Sequence, residues 1–392
     1  MLRPGAVAPL AALLMIPLLG MLAFSIDLSY AATVRSDLQS AADAAALAGA
    51  SNMQQSFVQY NYPTITSTQQ SSIVSTVTGT SSGSPTKIAE STAASNKAGG
   101  VSITVPDADV TFGYTNTSGS YSSTYSAFPN TIQVVTRRDS NQNGSLAFFF
   151  GPLLGVSSTN LTATARATIY VGNITSLQAI AGIDSHILPV ALDYKSWTNF
   201  MSTGQNRDGT TSTGPNGYPQ LQVYPDPGNA PGQFGLLDVG PPQNNVPAFQ
   251  TWIDDGVTPN DIDYLLNNNL IPVSPSAPEE WKGGPGMKST LQSNFASVEG
   301  QPTLIPIFQA VQYSPSYIAA SGNGQGSYYA IIGFVGVTVT TATARGSNMT
   351  IAVQPYGVTD PTTVINNPFP AGESQSSIST SPTTFVSAKL TY

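Results

Sequence analysis

The chain has 392 residues, only 9% of them charged, and its formal net charge at pH 7 is −8. An excess of acidic over basic residues argues against nucleic-acid binding, which requires clustered cations that neutralise phosphates. The absence of cysteine excludes disulfides, thiolate metal sites and cysteine nucleophiles.

A membrane anchor is predicted at the N-terminus. No charged residue occurs over residues 5–26, which is long enough to cross a hydrocarbon core of about 30 Å as a helix. Arg3 precedes this stretch, Asp27 follows it, and Tyr30 stands where interfacial aromatic residues are common. We therefore predict a transmembrane anchor over residues 1–30 that crosses the cytoplasmic (inner) membrane once, with the N-terminus inside and the body outside.

Two alternatives to an anchor remain open. A cleaved signal peptide would have an apolar region of about 7–15 residues and then a small-residue site, for which residues 29–31 are a candidate. A buried core helix is the other alternative. Pro9 and Pro17 each remove a backbone donor, which membrane helices tolerate when neighbouring groups compensate. The length of the apolar run favours the anchor.

An alanine-rich helix is predicted to continue beyond the apolar run. Residues 29–57 contain no proline and a single glycine, Gly49, and alanine is the best helix former. Small residues such as Ala42, Ala46 and Gly49, on either side of Asp43, let another backbone come close. This surface is expected to pack on its own domain, on a partner, or on both at different depths.

The N-terminal residues resemble a known family. Residues 3–8, residues 24–28 and the string Gln-Ser-Ala-Ala-Asp-Ala-Ala-Ala-Leu-Ala-Gly-Ala at 39–50 are similar to the N-terminal segment of the TadG-like proteins of Flp (Tad) pilus assembly. Residues 148–156 with 161–167 resemble the strand that closes the first domain in such proteins. Residues 236–242 and 282–286 resemble the long C-terminal regions of planctomycete relatives.

The resemblance implies a minor-pilin-like structural or assembly role at the cell envelope, without enzymatic activity or a cofactor. The partners it implies are the lipid bilayer, other pilus-assembly proteins and a second copy of the chain. One residue departs from the pilin pattern. A prepilin-peptidase substrate carries Glu five residues after the cleavage-site Gly, and Leu10 occupies that place after Gly5.

The rest of the chain predicts an α+β fold in two further domains. Residues 31–172 form a pilin-like α+β domain, with a helix over 86–98 that ends at Gly99-Gly100. Its predicted strands lie at 101–105, 110–114, 131–136 and 161–171.

Residues 173–392 form a mainly-β domain with frequent turns. Residues 246–268 are predicted to be its main helical stretch, in which Thr258 or Asn260 caps the segment at 261–266. Residues 328–340 are predicted to form one strand, or a hairpin broken at Gly333 or Gly336, and another strand is predicted at 350–355. Residues 367–381 are predicted to be an exposed polar tail.

Catalytic and metal sites find little support in the sequence. His186 is the only histidine, and no Gly-x-Ser-x-Gly elbow accompanies it. Residues 139–144 copy the first half of a calcium loop, but Phe150 stands where that loop requires Glu, so a polar turn is favoured. The acidic pairs Asp254-Asp255 and Asp261/Asp263 are a hydrolase candidate, although their spacing does not show that the carboxylates converge.

Three tryptophans are the remaining candidate binding residues. Exposed, Trp197, Trp252 and Trp281 would stack on sugar rings, as in an adhesin; buried, they would be core residues, which is the favoured interpretation. The leading hypothesis is therefore an anchored Flp-pilus component. An anchored carbohydrate-binding adhesin and a secreted hydrolase are the alternatives.

Overall fold

The structure is a computed structural model that describes residues 7–228, 235–243, 245–309, 327–345, 348–372 and 385–391. The chain folds into two compact units that are not contiguous in sequence. Unit 1 takes the described residues of Met1–Met53, Val74–Ile169 and Ala388–Tyr392. Unit 2 takes those of Gln54–Ile73 and Tyr170–Ser387.

One very long helix begins the described chain, and shorter helices follow it. The α-helices are α1 (Val7–Tyr60), α2 (Ser67–Val77), α3 (Pro85–Ala94), α4 (Tyr194–Thr203), α5 (Val246–Asp254), α6 (Pro259–Asn267) and α7 (Gln292–Ser297). Short 3₁₀ helices lie at Asp107–Asp109, Gly151–Leu154 and Ser289–Leu291.

Strands make up much of the remainder. Before residue 178 they are β1 (Lys97–Ala98), β2 (Val101–Ser102), β3 (Val110–Thr115), β4 (Tyr121–Ser122), β5 (Thr131–Arg138), β6 (Leu146–Ala147), β7 (Ser158–Thr159) and β8 (Leu161–Leu177). After it they are β9 (Leu192–Asp193), β10 (Ser212–Thr213), β11 (Pro219–Tyr224), β12 (Gly235–Leu237), β13 (Glu279–Pro285), β14 (Pro302–Phe308), β15 (Ser327–Arg345), β16 (Asn348–Pro355), β17 (Thr363–Pro370) and β18 (Phe385–Thr391).

Unit 1 packs helix α1 on an antiparallel sheet of order β8-β5-β3-β4. Strand β5 buries alternate side chains, among them Ile132 and Val134, as expected of a strand with one covered face. The helix lies against that strand, since the hydroxyl of Thr136 donates to the carbonyl of Leu38 at 2.9 Å. The last strand, β18, also pairs with β8.

Unit 2 is built around the long strand β15. An antiparallel order β10-β11-β16-β15 extends on one side, β13 and β14 also pair with β15, and β14 pairs in parallel with β9. Strand β12 pairs with β13, and β17 pairs with the second half of β8. The core of unit 2 is rich in aromatic residues, including Trp197, Phe200, Phe249, Trp281 and Phe334.

The predicted α+β class with a long N-terminal helix is confirmed. Strands predicted at 110–114, 131–136 and 350–355 are present as β3, β5 and β16. The predicted N-cap at Thr258 is also confirmed. Its hydroxyl accepts from the N–H of Asp261, whose carboxylate accepts from the N–H of Thr258 in return, so that the two residues form a capping box.

Two predictions around residue 100 were wrong in detail. Helix α3 ends at Ala94 with Ser95 as its C-cap, before the two glycines. Gly99 and Gly100 have φ of 58° and 81° and make the two-residue turn between β1 and β2. Positive φ at both positions suits a tight hairpin. The strands on either side are two residues long, so the strand predicted over 101–105 covers only residues 101 and 102.

Of the two alternatives for residues 328–340, the single strand is confirmed and the hairpin broken at Gly333 or Gly336 is wrong, because β15 runs unbroken from Ser327 to Arg345. A Cβ added at Gly336 would lie 2.5 Å from the carbonyl oxygen of Tyr356 and 2.7 Å from Val358. Gly336 therefore marks a close approach of backbone rather than a turn.

Three further differences lie in the second half of the chain. The helical stretch expected over 246–268 consists of two helices, α5 and α6, separated by residues 255–258. Helix α4 was not predicted. Of the predicted polar tail, residues 367–370 belong to β17, while 373–381 lie outside the described residues.

Candidate functional site

The first part of helix α1 leaves its apolar side chains uncovered. Ten large apolar residues between Leu13 and Leu28 are 44–71% exposed. Covering each would stabilise the protein by on the order of 1–2 kcal/mol, which sums to about the whole stability of a typical domain. Within the described chain this is the helix that is long and apolar enough to cross a membrane.

The second part of α1 is built into unit 1. Its buried residues recur every three or four positions, so they form one face of the helix. They are Val34, Leu38, Ala41, Ala42, Ala45, Ala46, Gly49, Ala50 and Met53. Within about two turns, the same helix therefore changes from a segment with exposed apolar side chains to a segment that is packed in the core of unit 1.

Small residues allow this close packing. Ala42 and Ala46 are fully buried, and a Cβ added at Gly49 would lie 2.6 Å from the Cδ1 of Ile132 and 3.3 Å from the carbonyl oxygen of Pro85. Asp43 lies at the edge of this face and accepts from the side-chain amide of Gln39 at 2.8 Å. The alanine-rich surface thus packs on its own unit.

Asp27 marks the junction between the two parts. Its side chain is 3% exposed, and its carboxylate accepts three backbone hydrogen bonds, from Phe149 at 2.8 Å, Phe150 at 3.0 Å and Gly151 at 2.6 Å. Charge-assisted bonds to three consecutive N–H groups offset the cost of burying a carboxylate. One turn later, the ring of Tyr30 packs against that of Phe149, with centroids 5.1 Å apart.

The other residues predicted to belong to the anchor are Arg3, Pro9 and Pro17. Arg3 lies outside the described residues. The backbone of Pro9 and of Pro17 is helical, and α1 continues through both positions. Sequence reasoning identified Asp27 only as the end of the apolar run and missed its partners at 149–151. The available signal was the apolar, glycine-containing stretch at 148–156, which has no strand-like alternation.

The three tryptophans are all in the core of unit 2. Trp197, Trp252 and Trp281 are 2%, 3% and 0% exposed. The indole N–H of Trp281 donates to the carbonyl of Leu270 at 2.8 Å, and that of Trp252 to the carboxylate of Asp261 at 3.3 Å. None of them presents a ring face to solvent, so the exposed arrangement that stacking on a sugar requires is not found.

The acidic candidates have structural partners. Asp254 accepts from the side chains of Asn294 at 2.5 Å and Ser297 at 3.1 Å, whereas Asp261 serves the capping box. Asp139 accepts from the backbone of Asn141 and Gln142, which is the geometry of a polar turn.

His186 is exposed, and its carbonyl accepts from the N–H of Leu304. Across the ranges that the structure describes, no group of three or more His, Asp or Glu residues is placed to hold a metal ion.

These features define the class of protein. It has an N-terminal helix that can cross a membrane, followed by an α+β body with a large antiparallel sheet. Residues 5–52 match the model of a family described as putative Flp pilus-assembly TadE/G-like. The match covers both the uncovered and the packed parts of α1. No curated protein and no solved structure matches the chain.

Proposed function

We propose that this protein is a single-pass, membrane-anchored, non-enzymatic component of a Flp (Tad) type pilus, with a minor-pilin-like role. The observation that carries the proposal is the two-part helix α1, whose apolar part is uncovered and whose alanine-rich part is buried in unit 1. The segment similar to TadE/G-like pilus-assembly proteins coincides with that helix. The expected partners are the lipid bilayer and other pilus-assembly proteins.

The contacts of Asp27 favour a retained anchor over a cleaved signal peptide. Cleavage near residues 29–31 would remove Asp27 and leave the N–H groups of Phe149, Phe150 and Gly151 without their acceptor. The folded unit 1 therefore depends on a side chain that signal-peptide cleavage would remove. For orientation we keep the arrangement that Arg3 favours, with the N-terminus in the cytoplasm and the body outside the cytoplasmic membrane.

Topology is tested by labelling single cysteines, since the chain has none of its own. In spheroplasts, a membrane-impermeant maleimide should label Ser118→Cys, an exposed position in unit 1, without lysis. Leu2→Cys should be labelled only after the membrane is opened. The reverse pattern would refute the orientation. A carbonate-soluble protein whose mature N-terminus lies near Ala31 would refute the anchor.

Pilus association is tested separately, in the native membrane. A photo-crosslinking residue at Leu47, which is 38% exposed on the packed part of α1, should capture components of the Flp pilus machinery. The control position is Asp263, an exposed residue of unit 2. Crosslinks to pilus proteins at neither position would count against the pilus assignment and leave the anchor intact.

A further inference from the structure

A second uncovered apolar element lies beside the anchor in unit 1. No charged residue occurs over residues 140–165. Within that stretch, Phe149, Leu153, Leu154 and Val156 are 65%, 83%, 58% and 52% exposed. We call residues 148–156 the apolar loop. Four large apolar side chains that point outward from so short a segment form the kind of surface that is normally covered by a partner or a membrane.

The loop lies alongside the part of α1 that would be in lipid. Leu153 and Leu154, with Phe150, line an open cavity of about 480 Å³ whose other wall is Leu19, Leu22 and Ile26. Leu19 precedes Ile26 by seven residues, which is about 10 Å along a helix. A bilayer that covers the apolar part of α1 to its end at Ile26 would therefore also surround the tip of the loop.

The loop backbone is suited to a region of low dielectric. Non-helical backbone is tolerated at membrane depth only where its polar groups are satisfied within the protein. The N–H groups of residues 149, 150 and 151 donate to the carboxylate of Asp27. Those of residues 153, 155 and 156 donate to carbonyl groups inside the loop, at 3.0 to 3.2 Å.

The loop is also held in one shape. Gly155 has φ of 83°, and a Cβ added at Gly151 would lie 2.2 Å from the carbonyl oxygen of Val156. This tight turn contains Pro152 and is hydrogen-bonded to Asp27, so its leucines are already held in an exposed position. Less conformational entropy is then lost when these leucines are buried against a partner or in a membrane.

We propose that the apolar loop is a second membrane contact, in which Leu153 and Leu154 insert among the acyl chains of the leaflet next to the protein body. The proposal rests on the anchoring function of α1 proposed above. We assign lipid rather than protein to this surface because the loop and the apolar part of α1 form one continuous uncharged surface, and both lie at the same height along the helix axis. Inserted at this level, the loop would restrict the tilt of α1 and set the height of unit 1 above the bilayer.

Depth-dependent fluorescence quenching tests the proposal on the full chain. Single-cysteine variants L19C, L153C and S118C carry an environment-sensitive fluorophore and are reconstituted in phosphatidylcholine vesicles containing lipids with a nitroxide high on the acyl chain. We expect quenching of L153C to equal that of L19C, while S118C stays unquenched. V156C repeats the measurement at a second loop position, in case one substitution disturbs the turn.

The outcomes separate the loop from the anchor. Quenching of L19C without quenching at 153 or 156 would overturn the loop proposal and leave the anchor standing. Loss of quenching at all of these positions would overturn the anchor itself. A label at 153 that is shielded from aqueous iodide but not quenched by nitroxide lipid would show that the loop is covered by protein, either its own chain or a second copy, which would also overturn the proposal.

Discussion

The carboxylate of Asp27 accepts a 2.6 Å hydrogen bond from the backbone N–H of Gly151, a residue 124 positions later in the chain. The bond joins the end of the apolar helix segment to a loop that follows strands β1 to β6 in the chain. Because the carboxylate also accepts from Phe149 and Phe150, one side chain determines where the loop lies relative to the helix.

Removing that carboxylate should release the loop. Asp27→Ala leaves three N–H donors without an acceptor, and each unsatisfied buried group costs about 1–3 kcal/mol. Hydrogen exchange of the full chain in detergent should show loss of protection at residues 149–151. Asp27→Asn, which keeps one acceptor oxygen, should have a smaller effect. Asp263→Ala removes an exposed carboxylate from unit 2 and is the control. Unchanged protection in Asp27→Ala would contradict the role assigned to this residue.

Enlarging Gly49 should destabilise unit 1. A leucine here would meet Ile132 and the carbonyl of Pro85, and overpacking a core costs about 1–3 kcal/mol. The gain of about 1 kcal/mol from replacing glycine in a helix offsets only part of that cost. Thermal unfolding in detergent should show a lower midpoint for Gly49→Leu. Ser51→Leu, at an exposed position of the same helix, should leave it unchanged. Equal effects of the two substitutions would show that Gly49 is not tightly packed.

The indoles should be inaccessible to solutes. Acrylamide should quench tryptophan fluorescence weakly in the folded protein and strongly in denaturant, because all three rings are buried. Trp281→Ala should cost about 3–5 kcal/mol, as expected for a large buried aromatic residue. Tyr328→Ala, which truncates a 40% exposed side chain of β15, should have little effect. Strong quenching in the folded state would revive the stacking hypothesis.

Alkaline pH should weaken unit 2. Burial raises the pKa of Tyr62, with a smaller contribution from Tyr218, and burial also raises the pKa of Tyr329. In the unfolded chain a tyrosine loses its proton near pH 10, whereas these two keep theirs while folded. Their contribution to stability is therefore complete below about pH 10 and falls above it, by about 1.4 kcal/mol per pH unit for each residue.

Denaturant unfolding at several pH values checks this expectation. Tyr62→Phe and Tyr329→Phe together should flatten the decline above pH 10. Tyr62→Phe alone also removes the 2.6 Å hydrogen bond from its hydroxyl to the carbonyl of Pro219, so it should lower stability at neutral pH as well. An identical alkaline slope in the wild type and the double variant would show that neither phenol is responsible.

Several features could be predicted from the sequence because their causes are local. An uncharged stretch over residues 5–26 and a proline-free alanine-rich continuation specify one long helix. Alternation specifies β5, and the spacing of Thr258 and Asp261 specifies a capping box. In each case the residues that determine the element lie within one or two turns of helix or one strand.

Other features depended on contacts between distant parts of the chain. From the sequence, the glycines of β15 indicate a turn. In the structure, Gly336 instead leaves room for the carbonyl group of Tyr356. The exposure of a tryptophan depends on which elements cover it, and the pairing of β17 with β8 joins residues nearly 200 apart in sequence. Composition near any of these residues carries no information about such partners.

The sequence by itself thus determined that an apolar helix begins the described chain and that an α+β body follows, because hydrophobic run length and periodicity act locally. Only the tertiary structure decided that Asp27 is a buried hydrogen-bond acceptor and that the apolar loop lies beside Leu19. Both facts arise from a carboxylate and three N–H groups more than 120 residues apart, which satisfy each other only once the sheet of unit 1 has brought them together.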